Sequence, residues 1–333
     1  MKRKIPVLAL LLLLAFLSGC LPAQKTPHTA TYLTVFDTVT TVKGFGSQAE
    51  FDRQAQQLYD QLLRYHRLFD IYNDYEGINN LKTVNDRAGQ APVTVDPAII
   101  RLLLDCKAYY ELTDGRVNAA MGSVLKLWHD ARTAPGEPRL PDPEALEAAA
   151  AHTDFSRVLI DEAASTVFIT DPELSLDVGA IAKGWAAQRV AELAPAGLLL
   201  SVGGNVCVTG PKPGGEPWII GIQSPDTDAF LHTLSIDGGS VVTSGDYQRG
   251  YTVDGKLYHH IIDPDTRMPG EYWRSVTVVC EDSALADALS TALFLLPHEA
   301  GEALALRCGA QALWLAPDGT EYQTSGFQKL LTS

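Results

Sequence analysis

The segment from residue 243 to residue 269, read TSGDYQRGYTVDGKLYHHIIDPDTRMP, is dense in side chains that can move protons or bind ligands. Two short runs flank a VDG turn at residues 253–255 and can pair as strands. The second run leads into His259, His260 and, after two isoleucines, Asp263. Imidazole and carboxylate groups at a strand end suit proton transfer, so the segment is a candidate catalytic element. A strand with a solvated polar face is the alternative.

A second candidate lies at residues 177–185, read DVGAIAKGW, where an extended apolar run meets a predicted helix. Gly179 and Ala180 are small enough to let the backbone approach a ligand closely. The first turn of a helix presents free N–H groups and a positive dipole, to which Lys183 adds a further positive charge. We therefore expect a negatively charged ligand here; an ordinary strand-to-helix turn with a solvated lysine is the alternative.

Two shorter motifs complete the set of candidates. The GGN sequence at residues 203–205 follows a predicted strand and allows either close ligand approach or an ordinary hairpin turn. Asp287 and Thr291 are spaced i, i+4 and share one face of a predicted apolar helix. Their oxygens suit Mg²⁺, with phosphate and water as further ligands, whereas capping of a neighbouring backbone by Asp287 is the alternative.

The motifs together predict one site that combines an anion cradle, a pair of oxygen ligands, a lysine and a histidine. This combination suits attack on a phosphate or pyrophosphate. The chain has no GxxxxGK[ST] and no GxGxxG sequence, so neither a P-loop nor a Rossmann cofactor site is supported.

The elements that must position these residues can be read from the hydrophobic periodicity. Hairpins outnumber any βαβ pattern, so we predict an α+β fold with largely antiparallel sheets flanked by helices. Residues 32–330 then form one large, two-lobed catalytic domain. Helices are predicted at 48–70, 96–113, 143–153, 180–193, 283–296 and 298–308, and strands at 32–43, 198–209, 218–223, 233–236 and 275–279. Residues 157–176 carry strand patterns around a turn at residues 161–162.

The N-terminus predicts export and lipidation. Three basic residues precede an apolar run that ends in Leu17-Ser18-Gly19-Cys20. This pattern resembles a bacterial lipobox, which implies a signal peptide over residues 1–19, lipid on Cys20 and a tether over residues 20–31. An ordinary signal peptide is the alternative. We expect the protein at the cell membrane, on its extracytoplasmic side.

The net charge limits the classes of partner that the protein can bind, and the cysteine spacing indicates the role of the cysteines. The net charge is −14, and becomes −17 when the three basic residues of the signal peptide are removed. This argues against nucleic acid as a partner and against attraction to anionic lipid headgroups. The four remaining cysteines form no CxxC pair and are predicted to be core residues.

At these motifs the chain resembles the ApbE family, the FAD:protein FMN transferases, over about residues 32–330. DVGAIAKGWAAQ is similar to the family's D-[LV]-G-[GA]-[IV]-A-K-G segment, and SVGGNV is similar to its glycine-pair segment. TSGDYQRGY…HHIIDP resembles its TSGxYxR…HIIDP signature, and ADALSTALFLL its D-A-L-[SA]-T helix. The resemblance implies splitting of FAD, release of AMP and attachment of FMN through its phosphate to a Thr or Ser hydroxyl of an acceptor protein. Secreted or membrane proteins, such as FMN-binding redox subunits, are the implied acceptors.

The resemblance also assigns residues. Asp177 and Lys183 would contact FAD, while the Ala180 carbonyl and the side chains of Asp287 and Thr291 would bind Mg²⁺. Phe36, in a predicted strand, stands where the family usually has methionine near the flavin. The other implied contacts are Tyr72 stacked on the isoalloxazine, Arg116, Val117 and Asn118 as a backbone segment along the flavin, and Ile262 on the adenine side. Family members often have Asp in place of Asn118.

The acceptor hydroxyl is a poor nucleophile until it loses its proton, and the candidate base is His260, in the HIIDP part of the signature. His259 should face the opposite side of an extended segment. Asp263 can hold His260 or orient the loop before Pro264. Two other functions stay open: an FAD pyrophosphatase, in which water replaces the acceptor hydroxyl, and a non-catalytic FAD-binding lipoprotein.

Overall fold

The computed structural model describes residues 27–332, so the predicted signal peptide and Cys20 lie outside the described residues. Within this range the chain forms eight α-helices and fifteen β-strands. The helices are α1 (Gln48–Phe69), α2 (Leu81–Asp86), α3 (Pro97–Leu112), α4 (Gly122–Thr133), α5 (Pro143–Ala150), α6 (Ala182–Ala191), α7 (Ser283–Phe294) and α8 (His298–Arg307). The strands are β1 (Pro27–Val35), β2 (Thr38–Phe45), β3 (Val93–Thr94), β4 (Val158–Asp161), β5 (Thr166–Ile169), β6 (Leu199–Val202), β7 (Asn205–Val208), β8 (Trp218–Gln223), β9 (Phe230–Ile236), β10 (Gly239–Gly245), β11 (Gly250–Val253), β12 (Lys256–His259), β13 (Ser275–Cys280), β14 (Gln311–Leu315) and β15 (Glu321–Gln323).

An eight-stranded sheet organises the molecule, in the order β1-β2-β6-β7-β10-β13-β14-β15. Three small sheets, β3-β5-β4, β8-β9 and β11-β12, accompany it. Every strand pairing is antiparallel. The predicted α+β class with antiparallel sheets and flanking helices is therefore confirmed.

Helix α7 lies at the centre of the packing, against α6 and against strands β10 and β13. Its sequence SALADALSTALF is apolar on nearly every face, as expected for a helix covered on all sides. Asp282 caps its start, and its carboxylate accepts the amides of Ala284 and Leu285 at 2.7 and 2.9 Å. Against this background the buried Asp287 and Ser290 need specific polar partners.

The predicted strand over residues 32–43 is wrong as a single element. It is two strands, β1 and β2, joined by a two-residue turn at Phe36 and Asp37, whose φ angles are 53° and 50°. Positive φ at both positions defines the type I′ hairpin turn, which usually takes Asn or Gly. Because Phe36 is not a typical residue for such a turn, the sequence did not predict it. Phe36 therefore lies in a turn and not in a strand.

Two further boundaries differ from the expectation. The run 198–209 divides into β6 and β7 at Gly203 and Gly204, where φ is 58° and 92°, so this motif forms a hairpin turn. The predicted tether reached residue 31, but β1 begins at Pro27 and pairs with β2 from its first residue. Within residues 27–332, no helix combines the length and hydropathy that a membrane crossing requires.

Candidate active site

A cleft of about 1010 Å³ opens between the β1-β2 turn, α4, the start of α6 and the segment after β10. All of the residues that the sequence assigned to the site line this one cleft: Phe36, Tyr72, Arg116, Val117, Asn118, Asp177, Ala180, Lys183, His260, Ile262, Asp287 and Thr291. They come from segments as far apart in sequence as residues 36 and 291, which the central sheet and α7 bring together.

The Asp287 carboxylate is the most deeply buried charged group in the cleft, with 3% of the residue exposed. Its Oδ2 accepts the amide of Gly184, in the first turn of α6, at 2.8 Å, and its Oδ1 lies 3.9 Å from Lys183 Nζ. Burial raises the pKa of Asp287, while Lys183 and the Gly184 amide oppose the rise. The helix terminus and the lysine therefore face a carboxylate of the chain itself.

Three residues that line the cleft carry oxygens that could bind a divalent cation. Ala180 and Thr291 line the cleft with Asp287, which gives a carboxylate, a hydroxyl and a backbone carbonyl. Among the described residues, no cluster of three His, Cys, Asp or Glu side chains could hold a metal. A hard cation with few protein ligands is typical of Mg²⁺ that is also bound by substrate phosphates.

Asn205 adds a polar group beside the same carboxylate. Its Nδ2 is buried without a hydrogen-bond partner at normal distance, although the amide is close enough to lower the pKa of Asp287. A buried donor without a partner is rare in proteins and is expected to find one when a ligand or water enters.

His260 lies in the cleft as a neutral imidazole. Its Nδ1 is 3.2 Å from the carbonyl oxygen of Arg249, and burial lowers its pKa to about 3. Since a carbonyl oxygen can only accept, the proton is on Nδ1 and the Nε2 lone pair is free. This is the protonation state that a general base requires.

Asp263 does not hold His260. Its Oδ1 accepts the amides of Asp265 and Thr266 at 2.7 and 3.2 Å, and its Oδ2 lies 3.3 Å from Arg116. The loop-orienting alternative therefore applies to Asp263. His259 is buried and, unlike His260, does not line the cleft.

Aromatic rings also line the cleft. Tyr72 is 56% exposed and stacks on His129, with ring centroids 5.2 Å apart. Phe36 contacts His66 edge-on, at 5.7 Å, and its amide donates to His66 Nδ1. A half-exposed tyrosine supported from behind provides a flat surface for a planar ring.

The segment Arg116–Asn118 offers backbone to the cleft, because its polar side chains are occupied elsewhere. Arg116 pairs with Asp263 and, at 2.7 Å, with Asp265. Asn118 donates to the Thr153 carbonyl and accepts the Ala120 amide, both at 2.9 Å. Both bonds are local and uncharged, so Asn118 needs no carboxylate to make them.

Asp177 accepts the amide of Gly179 at 2.8 Å, which fixes the bend before α6. Burial raises its pKa, and His129 and Arg249 oppose the rise. Asp177 thus lines the cleft while its carboxylate is bonded to the main chain just before α6.

Sequence reasoning missed two basic side chains that line the cleft, His129 and Arg132, and gave Arg249 no role of its own. Arg132 and His129 lie on α4, a helix that we did not predict, and Arg132 contacts His129 Nδ1 at 3.3 Å. The i, i+3 spacing of His129 and Arg132 was the signal that could have placed them on one helix face.

Known proteins resemble this chain over most of its length. The sequence model of the ApbE family matches residues 34–314. An FAD:protein FMN transferase of Klebsiella pneumoniae (strain 342) is 37% identical over 249 residues, 71% of this chain and 76% of that protein. One of Treponema pallidum (strain Nichols) is 36% identical over 261 residues, 72% of this chain and 71% of that protein. The crystal structure of the ApbE protein of Thermotoga maritima has a TM-score of 0.84 at 29% identity and covers 92% of this chain and 100% of its own.

Proposed function

The chain belongs to the ApbE family, whose curated relatives are FAD:protein FMN transferases, and on this premise we propose that it transfers FMN from FAD to an acceptor protein. The acceptor group is a Thr or Ser hydroxyl, the product bond is a phosphoester, and AMP is the leaving group. Mg²⁺ is the required metal.

The observation that carries this proposal is the arrangement of Asp287 and His260 in one cleft. Asp287 is held at the start of α6 with Lys183 nearby, whereas His260 presents a free Nε2 lone pair. A buried carboxylate beside hydroxyl and carbonyl oxygens suits metal-bound phosphates, and a neutral imidazole suits deprotonation of a hydroxyl.

Different residues of the chain bind the flavin and transfer the proton. Tyr72 and Phe36 hold the flavin ring, which places the diphosphate toward Lys183. The acceptor hydroxyl gives its proton to His260 Nε2 as its oxygen bonds to the FMN phosphorus. The bond from that phosphorus to the bridging oxygen breaks, and the electron pair leaves with AMP.

Ala180, Asp287 and Thr291 would hold Mg²⁺, which when bound offsets negative charge on the diphosphate. Lys183 contributes further positive charge at the same place. The phosphates in turn favour the imidazolium form of His260, which raises its basicity once substrate is bound.

The transferase is tested by incubating the protein with FAD, Mg²⁺ and an acceptor domain that carries a Thr flavinylation motif. An FMN adduct on the acceptor, detected by mass spectrometry, together with AMP supports transfer. Free FMN and AMP without an adduct would instead identify an FAD pyrophosphatase, and intact FAD an FAD-binding protein. An acceptor with the Thr changed to Ala and the variant His260→Ala are the controls.

We also propose that the protein is anchored by lipid on Cys20, on the extracytoplasmic side of the cell membrane. The lipobox-like sequence at residues 17–20 supports this. Expressed in a bacterium, the wild-type chain should fractionate with membranes and Cys20→Ala should not. An equal distribution of the two would contradict the anchor.

A further inference from the structure

His259 uses both nitrogens of its ring, although the residue is only 7% exposed. Its Nε2 lies 2.8 Å from the Gly270 carbonyl oxygen, and its Nδ1 accepts the Ile261 amide at 3.2 Å. A carbonyl only accepts and an amide only donates, so the ring is neutral with its proton on Nε2. One protonation state and one orientation of the ring satisfy both bonds.

These bonds fix the main chain directly after His260. The His260 amide donates to the Arg249 carbonyl at 3.1 Å, and the Gly270 amide donates to the Ile261 carbonyl at 3.0 Å. His259 adds a bond at Ile261 and a second one at Gly270. The backbone of the candidate base is thus tied to Arg249 on one side and to Gly270 on the other.

The same ring also contacts the helix that bears the candidate metal ligands. His259 meets Phe294 edge-on, with centroids 5.3 Å apart and an interplanar angle of 82°. Phe294 is on α7, one turn after Thr291. Gly270 packs there as well, since a Cβ on it would lie 2.8 Å from Leu295 Cδ2.

We propose that His259 is a positioning residue for the reaction: its neutral ring sets the distance between His260 and the face of α7 that carries Asp287 and Thr291. It acts through His260 and does not touch the substrate. The inference rests on the proposed role of His260 as the base. A displacement of about 1 Å between reacting groups can cost roughly 100-fold in rate, so such a link matters for catalysis.

A histidine that served only the core would behave differently. Its replacement would lower the free energy of unfolding, and activity would fall only as the folded fraction fell. A positioning residue instead lowers kcat of fully folded protein while KM for FAD stays nearly constant.

Three substitutions separate the two bonds. His259→Phe keeps a ring edge against Phe294 but loses both hydrogen bonds. His259→Gln can still donate to Gly270, and His259→Asn can still accept from Ile261. His298→Phe is the matched control, because His298 lies outside the cleft and its buried Nε2 has no partner to lose.

For His259→Phe we expect kcat to fall by about tenfold or more with KM for FAD within about twofold, at a temperature where the protein is folded. The kcat values of the Gln and Asn variants should lie between those of His259→Phe and the wild type, and His298→Phe should keep the wild-type kcat. Wild-type kcat in folded His259→Phe overturns the proposal. If that variant does not fold, wild-type kcat in both the Gln and the Asn variants overturns it.

A second readout does not depend on turnover. In ¹⁵N-histidine-labelled protein without FAD or metal, the His260 ring signals should report a proton on Nδ1 in the wild type and a mixture of tautomers in the most conservative His259 variant that folds. Unchanged His260 signals overturn the positioning role. Absence of AMP formation by the wild type would defeat the proposed function, whereas this measurement would still test His259.

Discussion

The backbone amide of Gly184 donates a hydrogen bond to the Asp287 carboxylate at 2.8 Å across 103 residues of sequence. The bond joins the first turn of α6 to the middle of α7, and the packing around it has no spare room. A Cβ on Gly184 would lie 2.3 Å from the Ser283 carbonyl oxygen and 2.4 Å from Asp287 Cβ. The contact between the two helices therefore also sets the position of the candidate metal ligand.

Gly184→Ala should inactivate the protein and destabilise it. Alanine favours a helix by about 1 kcal/mol over glycine, but overpacking against fixed backbone costs roughly 1–3 kcal/mol and pushes Asp287 away from α6. The measurements are urea unfolding and AMP release from FAD. Gly238→Ala is the matched control, since nothing lies within 4 Å of a Cβ there, and it should leave both unchanged. Equal behaviour of the two variants would contradict the packing argument.

Thr291 should matter through its hydroxyl and not through its shape. Thr291→Val keeps the volume and removes the oxygen, whereas Thr291→Ser keeps the oxygen and removes a methyl group. We expect the Val variant to need about tenfold or more Mg²⁺ for half-maximal FAD turnover, and the Ser variant to resemble the wild type. Mg²⁺ titrations of AMP release decide this. A similar Mg²⁺ requirement in both variants would remove Thr291 from the proposed ligands.

The sequence predicted the site better than it predicted the elements that carry it. His260 was chosen as the base because it stands in the HIIDP part of the family signature, but two local rules also applied. The i, i+4 spacing on a helix fixes the shared face of Asp287 and Thr291, and alternation in a strand separates His260 from His259. Such local rules hold wherever the element forms. Nothing in residues 177–185 specifies contact with residue 287, so a single site was inferred from the complementary chemistry of the motifs and from the family resemblance.

The features that the sequence failed to predict were missed for physical reasons. The Phe36-Asp37 turn lacks the Asn or Gly that normally marks positive φ, so its strand appeared continuous. Helix α4 has no side-chain cap at its N-cap residue, Met121, so the sequence lacks the usual signal of a helix start. Because the helix was not predicted, Arg132 was not assigned to the site. Asp263 could be given two roles from sequence, and its bonds to Thr266 and Arg116 decided between them.

The strained turn at Phe36 should lower the stability of the fold while its ring contributes to FAD binding. Asn adopts positive φ more easily than Phe, so Phe36→Asn relieves the backbone while removing a ring from the cleft. We expect a free energy of unfolding equal to or above that of the wild type and weaker FAD binding, measured by urea unfolding and by flavin fluorescence titration. Asp37→Gly relieves the same turn and keeps the ring, so it should retain FAD affinity. A loss of affinity in both variants would point to the turn instead of the ring.

Arg132 and Arg249 should strengthen binding of the anionic substrate. Among residues 27–332, neither guanidinium lies within 4 Å of a carboxylate in a salt bridge, and both line the cleft of an acidic protein. Replacing either with Gln should raise KM for FAD by roughly fivefold, about 1 kcal/mol, with a smaller effect at high salt. Arg101→Gln, an exposed change on α3 outside the cleft, is the control. A KM that is equal in all three variants would exclude this role.

The folded protein should lose stability as the pH falls below about 6.5, because His260 stays neutral in the fold. Burial lowers its pKa to about 3, whereas in the unfolded chain it titrates near 6.5. Between these values the unfolded state binds one more proton, so the free energy of unfolding falls by up to about 1.4 kcal/mol per pH unit on acidification. Burial also lowers the pKa of His259, which adds in the same direction.

The variant His260→Gln isolates this effect. Burial raises the pKa of Asp177 and Asp287, so these carboxyls act in the opposite direction, but they do so in both proteins and cancel in the comparison. Urea unfolding at pH 7, 6 and 5 should give a smaller loss of stability for His260→Gln than for the wild type, with a difference of roughly 2 kcal/mol at most by pH 5. Parallel pH dependences would mean that the pKa of His260 is the same in the folded and unfolded states, and would contradict the lowered pKa.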